Sequence, residues 1–166
     1  MLEQLGGGML TSILIFILTL LGSLPLALPV AFGRMSKCRP LRTLMRVYIS
    51  FMRGTPLMLQ LLVVYFGPWF LLRIPLTNGY RFYAVIIAFV LNYAAYFAEI
   101  YRAGIESIPL GQYEAAEVLG YSKGQTFRRI IFPQMVKRIL PPVTNEIITL
   151  IKDTSLAFAI GVLEMF

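Results

Sequence analysis

The 166-residue sequence contains no histidine and only one cysteine, Cys38. A single cysteine excludes an internal disulfide framework, and the sequence offers no metal site built on histidine or cysteine ligands. Serine or cysteine nucleophiles would have no histidine to activate them. A glycine-rich phosphate-binding loop of the Walker type is also missing, and no internal repeat of fixed period is found. Sites for hard cations built from Asp and Glu stay open, but no catalytic constellation is present.

Charge is scarce in this chain and apolar residues are abundant. Charged residues make up 14 % of the sequence, apolar residues make up 58 %, and the mean hydropathy is +0.74. Several apolar runs approach the roughly 20 residues that a helix needs to cross a bilayer. These values indicate an integral membrane protein. The net charge of +7 would favour a nucleic-acid partner in a soluble protein. Here the basic residues flank apolar runs, so they set membrane orientation and no nucleic acid is expected.

The apolar runs predict four membrane spans, at about 9–32, 47–72, 82–101 and 139–166. The first span includes the charge-free run Met9–Phe32. The sequence Arg53-Gly54-Thr55-Pro56 predicts a break near the start of the second span, because the residue before a proline is disfavoured in helices.

The fourth span is predicted to break near 152–155. Lys152-Asp153-Thr154-Ser155 interrupts the run about 13 residues after it begins. At about 1.5 Å per helical residue, such a run is too short to have crossed the membrane. The first turn of this span is expected to hold Pro141 and Pro142, where missing N–H groups matter least.

The distribution of basic residues predicts the orientation of the chain. Arg34–Arg46 holds five of the fifteen Lys and Arg residues, Arg102–Arg138 holds six, and the intervening loop Arg73–Arg81 holds two. The positive-inside rule places the first two stretches in the cytoplasm. The N-terminus is therefore expected outside.

A polar segment, 109–133, separates the third and fourth spans and is predicted to form two short helices. Leu110–Leu119 is rich in helix formers, and Gly120 can take the left-handed conformation that closes a helix. Ser122 stands three residues before Gln125, which is the spacing of a capping box that starts a second helix. Pro133 is expected to stop that helix. We call the segment 109–133 the elbow.

Part of the elbow resembles the EAA motif of the permease subunits of bacterial ABC importers. The matching positions are Glu114, Ala115, Ala116, Gly120, Ile130 and Pro133. Phe132 stands where that pattern usually has leucine. The resemblance implies that the elbow is the coupling element that docks on a separate ATPase subunit. The alternative is an amphipathic cytoplasmic loop that matches the motif by chance.

Other segments resemble the polar amino-acid branch of these permeases, the histidine, glutamine and arginine types. They are FMRGTPLMLQLLVVYFG, AEIYRAGIESIP and KDTSL followed by IGVLE. The resemblance covers nearly the whole chain and implies one transmembrane domain, 1–166, in the bacterial cell (inner) membrane. The implied fold is the all-α, polytopic type I ABC importer permease fold. Relatives continue into a further span, so the usual last span is expected to be missing here.

The resemblance also implies partners for the chain. They are an ATP-binding subunit dimer that holds ATP and Mg²⁺, a second permease subunit in a homo- or heterodimer, an extracellular substrate-binding protein or domain, and a polar amino acid. The chain itself would hold no cofactor and would not be an enzyme. Basic, acidic and amide amino acids all remain open as substrates. The alternative is an ion-coupled secondary transporter or channel without an ATPase partner, which inverted repeats would favour.

Polar residues of three spans are predicted to reach similar depth in the membrane. They are Gln60, Asn92, Tyr96, Asp153, Thr154 and Ser155. Unsatisfied polar groups are costly in hydrocarbon, so these groups should converge on one another or on a ligand. We hypothesise a midplane amino-acid site, in which free N–H groups at Thr154 and Ser155 bind the carboxylate and side-chain oxygens bind the ammonium group.

Structural roles for the same residues stay open at this point. Asn92 and Tyr96 could equally be interhelical glue. A turn held by a salt bridge between Lys152 and Asp153 is as well supported as a half-helix. Glu99, nearer the cytoplasmic end of its span, is expected to be structural.

Overall fold

The computed structural model describes residues 2–73 and 78–159, and this part of the chain is helical throughout, without strands. Eight α-helices are joined by short connections, and one π-helical turn lies between the sixth and the seventh. Their bounds are α1 Leu2–Met35, α2 Arg39–Gly54, α3 Leu57–Leu72, α4 Asn78–Glu106, α5 Leu110–Val118, α6 Lys123–Thr126, the π turn Phe127–Ile131, α7 Phe132–Asp153 and α8 Leu156–Ala159. The predicted all-α fold class is confirmed.

Helices α1 and α4 form the centre of the fold. By length and composition both can cross a membrane, over Gly7–Met35 and Gly79–Glu106, and they coincide with the first and third predicted spans. They approach closely at Gly22 of α1, where a Cβ atom would lie 2.8 Å from Cγ2 of Val90 in α4. Small residues let two helix backbones approach closely, as is usual between membrane helices.

The second predicted span is not a straight crossing. Helices α2 and α3 meet at a bend of 110°, and as a broken pair they have the length and composition of one further span or of a re-entrant loop. The break lies where the sequence predicts it, since Thr55 is extended, with φ −118° and ψ 144°. Helix α2 is therefore closer to perpendicular to α3 than in line with it. The break predicted within 47–72 is thus found, and a single membrane crossing over this range stays a prediction.

The predicted stop at Pro133 is wrong. Helix α6 passes through the π turn into α7, and Pro133 lies in the first turn of α7, where a missing N–H is tolerated. As a consequence α7 begins at Phe132, seven residues before the predicted start of the fourth span. Pro141 and Pro142 lie inside α7 rather than in its first turn. The helix ends at Asp153, where the sequence predicts the break, and residues 160–166 of the fourth span lie outside the described part.

Candidate functional site

The end of α5 has the geometry of a Schellman motif. Gly120 is left-handed, with φ +71°, as predicted. The N–H of Tyr121 donates to the carbonyl of Ala116 at 3.0 Å, and the N–H of Gly120 donates to that of Glu117 at 2.9 Å. These two bonds satisfy carbonyls that a helix end otherwise leaves open. The chain therefore reverses at Gly120 in a fixed geometry that favours glycine.

The start of α6 is capped in both directions, also as predicted. The N–H of Ser122 donates to Oε1 of Gln125 at 2.9 Å, and the N–H of Gln125 donates to Oγ of Ser122 at 3.4 Å. This reciprocal pair is a capping box. The elbow is thus a rigid helix–turn–helix that continues through the π turn into α7.

The surface of the elbow is partly apolar. Val118 is 88 % exposed and Leu119 is 72 % exposed, directly before the Gly120 turn. Of the six positions predicted to couple to an ATPase, Glu114, Ala115, Gly120 and Pro133 are exposed, Ile130 is half-buried and Ala116 is buried. Adjacent exposed apolar side chains in a polar segment suit contact with a protein partner. Sequence reasoning did not single out Val118 and Leu119, although their position just before the turn is a usable signal.

Gln60 and Asn92 are buried and joined to each other. Nδ2 of Asn92 donates to Oε1 of Gln60 at 2.9 Å and to the carbonyl of Met52 at 3.1 Å. Nε2 of Gln60 donates to the same Met52 carbonyl at 2.9 Å and to Oγ1 of Thr55 at 2.8 Å. The two amides therefore join the α2–α3 break to α4 by hydrogen bonds, which is a structural role between helices.

Asn92, Tyr96 and Asp153 line one cleft of about 450 Å³ between the start of α3, α4 and α7. Glu146 also lines it, seven residues before Asp153 and hence on the same face of α7. The cleft thus contains two carboxylates. The i, i+7 spacing could have identified Glu146 from the sequence.

Asp153 is held by a residue that sequence reasoning missed. The buried Tyr93 donates its hydroxyl hydrogen to Oδ2 of Asp153 at 2.7 Å. Within the described residues this bond replaces the possible ion pair between Lys152 and Asp153. Tyr93 lies in a mostly apolar helix, and nothing in its sequence neighbourhood distinguishes it from a core residue.

Thr154 and Ser155 do not offer free donors. Their N–H groups donate to the carbonyls of Leu150 and Lys152, at 3.0 and 3.2 Å. Their hydroxyls also turn back, onto the carbonyls of Ile151 and Lys152, at 2.7 Å each. Thr154 stays in the right-handed helical region, with φ −56° and ψ −26°, so the chain turns without releasing N–H groups. The expectation of free N–H groups at these two residues is wrong.

A second cleft, of about 400 Å³, adjoins the first through Tyr96 and Glu146, which line both. Arg53 and Glu99 line this second cleft. The guanidinium carbon of Arg53 lies 5.2 Å from the centre of the Tyr96 ring, a cation–π distance. Glu99 accepts from Nε of Arg102 at 3.0 Å, in agreement with the structural role expected for it.

Residues 23–165 match the family described as "Binding-protein-dependent transport system inner membrane component". The chain belongs to this family of membrane permease subunits. The predicted membership of the ABC importer permeases is confirmed, and the family description agrees with a location in the membrane.

Individual relatives are named for the transport of amino acids and related compounds. The chain is 44 % identical to the L-cystine transport system permease protein TcyB of Bacillus subtilis (strain 168), over 98 % of this chain and 68 % of TcyB. It is 38 % identical to the nopaline permease protein NocM of Agrobacterium fabrum, over 93 % of this chain and 67 % of NocM. The chain thus spans about two thirds of the length of these relatives.

A crystal structure described as that of an amino acid ABC transporter with histidines has the same fold. Its TM-score with this protein is 0.84 at 34 % sequence identity, and the match covers 96 % of this chain and 72 % of the other. The predicted permease fold is thereby confirmed.

Proposed function

We propose that this chain is the membrane-spanning subunit of an ATP-driven amino-acid importer in a bacterial plasma membrane. The observation that carries the proposal is the rigid, exposed elbow, which presents Val118 and Leu119 beside the Gly120 turn. A Schellman motif and a capping box fix the shape of this apolar surface. A partner protein that docks on it could therefore move the elbow as one unit. The names of the relatives and of the solved transporter support amino acids as the substrate class.

The elbow would couple ATP hydrolysis to the membrane part of the chain. Two ATP-binding subunits, which hold the ATP and Mg²⁺, would close on the elbows of two permease subunits. Because α6, the π turn and α7 form one continuous helical path, movement of the elbow would reach Glu146 and Asp153 at the cleft. An extracellular binding protein or domain would deliver the amino acid. Alternating access then arises as a shift between two states of the spans.

Purification of the chain from its native membrane tests the ATPase partnership. We expect mass spectrometry to find a subunit with a Walker motif in stoichiometric amount. Gly120→Val should lose it, because a β-branched residue at φ +71° is strained and disturbs the turn. Gly67→Val is the matched control, because the space beside Gly67 in α3 is open.

Two results would count against this partnership. One is a fully active transporter that purifies without any ATPase, as the ion-coupled alternative requires. The other is an unchanged ATPase complex with the Gly120→Val chain, which would exclude the docking role of the elbow.

The cleft between α3, α4 and α7 is the proposed amino-acid site. Glu146 and Asp153 would bind the ammonium group, since charge-assisted hydrogen bonds are the strong ones. Arg53, which reaches the adjoining cleft and contacts Tyr96, would bind the carboxylate in place of the N–H groups expected at Thr154 and Ser155. Asn92 and Tyr96 would line the path between the two charged ends. Thr154 and Ser155 would serve only to end α7.

Substrate-stimulated ATP hydrolysis by the assembled complex tests this site. Asp153→Asn should weaken the apparent affinity for the amino acid by at least about tenfold, the scale of one hydrogen bond to a charged group. Lys152→Gln, next to it but outside the cleft, should leave the affinity unchanged.

A second pair of variants compares a residue that lines the cleft with one that only ends α7. Asn92→Leu should reduce transport, and Thr154→Val should leave it near the wild-type rate, because the Thr154 hydroxyl only bonds back to Ile151. If Asn92→Leu and Asp153→Asn both retain wild-type rates and selectivity, the cluster is only helix glue and the site does not exist.

A further inference from the structure

One face of α2 is apolar and uncovered. Leu44, Val47 and Phe51 are 61 %, 60 % and 59 % exposed, and their spacing of three and four residues aligns them along the helix. We call these three residues the α2 stripe. The inward face of the same helix is fixed, because Ile49 is buried and the Tyr48 hydroxyl donates to the carbonyl of Leu91 in α4 at 2.5 Å. The stripe therefore cannot turn inward.

Beside the stripe lies a basic cleft of about 350 Å³, between α1, α2 and α4. Its charged lining residues are Arg34, Arg46, Arg53 and Glu99, and Ser50 adds a hydroxyl. Oε1 of Glu99 is paired with Arg102 while its Oε2 makes no hydrogen bond within the described residues, and Arg53 faces the ring of Tyr96. Neither Arg34 nor Arg46 makes a hydrogen bond or an ion pair with another described residue. Two guanidinium groups are thus available to an anion.

The basic cleft and the stripe are connected. A neighbouring groove of about 410 Å³ is lined by Val47 and Phe51 of the stripe, and it shares Arg46, Ser50 and Gly54 with the basic cleft. A ligand that fills both must carry an anionic group at one end and apolar chain at the other. Free phosphate would occupy the basic cleft but would make no contact with the α2 stripe.

The packing of α1 on α2 builds this arrangement. A Cβ atom at Gly33 would lie 2.9 Å from Cγ of Met45, so a side chain at this position would have to displace Met45. That approach holds Arg34 at the end of α1 next to α2. The sequence from Arg34 to Gly54 contains no acidic residue, so nothing on α2 competes for the arginines.

We propose that α2 is an interfacial helix that binds an anionic phospholipid, with the phosphate between Arg34 and Arg46 and an acyl chain along the α2 stripe. The bend of 110° sets α2 across the direction of α3, so with α3 crossing the bilayer α2 lies near the membrane plane. Amphipathic helices with basic flanks bind membranes in this position. Basic pockets between membrane helices are suited to lipid headgroups. This inference does not depend on the proposed transport function.

Native mass spectrometry of the full chain, exchanged into phosphatidylglycerol or phosphatidylcholine, tests the site. We expect the wild type to retain phosphatidylglycerol preferentially. Arg34→Gln/Arg46→Gln should reduce that preference by roughly tenfold or more, the scale expected for two arginines near a lipid surface. Arg39→Gln, two turns before Arg46 on the same helix, should keep most of it. Val47→Asn should weaken retention of both lipids by removing apolar contact.

Several outcomes would overturn the proposal. Equal retention of the two lipids by the wild type would do so, as would equal losses in the double variant and in Arg39→Gln. Displacement of phosphatidylglycerol by millimolar inorganic phosphate would show a free-anion site instead. A photo-crosslinker at Val47 that captures a second protein chain and no lipid would show a protein interface on the stripe. Size-exclusion chromatography checks that each variant stays folded.

Discussion

At the scale of single residues, the polar groups buried in this protein are largely used by the protein itself. Gln60 and Asn92 hold the α2–α3 break, Thr154 and Ser155 end α7, and Tyr93 holds Asp153. Among the described residues that line the cleft between α3, α4 and α7, the Glu146 carboxylate makes no hydrogen bond or ion pair, so it is available to a ligand. Counting residues along the spans predicted that these side chains lie at similar membrane depth and converge. It could not show which of their hydrogen bonds are made within the protein.

Asn92→Leu is expected to destabilise the protein as well as impair transport. The substitution leaves Oε1 of Gln60 without its buried donor and removes one of two bonds to the Met52 carbonyl. A loss of about 1–3 kcal/mol follows from such an unsatisfied group. Thermal unfolding in detergent measures it, with the exposed Asn145→Leu in α7 as the control for the same chemical change. Equal melting temperatures for the two variants would contradict the role of Asn92 in holding the break.

At the scale of elements, α4 and α7 cross at Gly104. A Cβ atom there would lie 2.2 Å from Cγ2 of Ile139 and 3.1 Å from Cγ of Met135. The backbones can approach this closely only because the side chain is absent. The crossing lies at the elbow end of both helices and fixes the start of the path from the elbow to the cleft.

Gly104→Ala should therefore destabilise the helix pair by about 1–3 kcal/mol, the usual cost of overpacking. Adding Ile139→Ala removes the atom that clashes, so the double variant should be more stable than the sum of the two single effects. A double-mutant cycle by thermal unfolding measures this coupling. Gly67→Ala, in open space on α3, should have little effect. Additive effects of the two substitutions would show that the crossing is not tight.

The sequence predicts these elements well where local chemistry decides them. The left-handed Gly120, the capping box at Ser122 and the break before Pro56 are each set by a few neighbouring residues, and each is found. Prolines were less informative. Pro133 lies in the first turn of α7 and Pro141 and Pro142 lie inside it, whereas single-residue preferences predict that a proline stops or starts a helix. The bend angle between α2 and α3 depends on packing against α1 and α4 and could not be predicted.

At the scale of the whole molecule, basic residues cluster in two stretches that the positive-inside rule assigns to the cytoplasm. One, Arg34–Arg46, includes the first half of α2, and the other contains the elbow. The same orientation puts the α2 stripe at the inner surface and the elbow within reach of cytoplasmic ATPase subunits. The proposals for the elbow and for the lipid site therefore agree on one topology, with the N-terminus outside.

Cysteine labelling in intact cells tests this topology, in a background in which Cys38→Ser removes the native thiol. A membrane-impermeant maleimide should label Gly7→Cys and should reach Lys37→Cys and Lys123→Cys only after permeabilisation. Labelling of either lysine position in intact cells would show that the orientation is wrong.

The most direct test of the account is transport by the complex reconstituted in liposomes with its ATPase subunits and binding protein. We expect accumulation of the amino acid to require ATP, and ATP hydrolysis to rise when loaded binding protein is added. Gly67→Val should keep both responses, and Gly120→Val should lose both while its chain still inserts into the membrane. Uptake that follows an ion gradient without ATP, or full coupling in Gly120→Val, would contradict an ATP-driven importer coupled through the elbow.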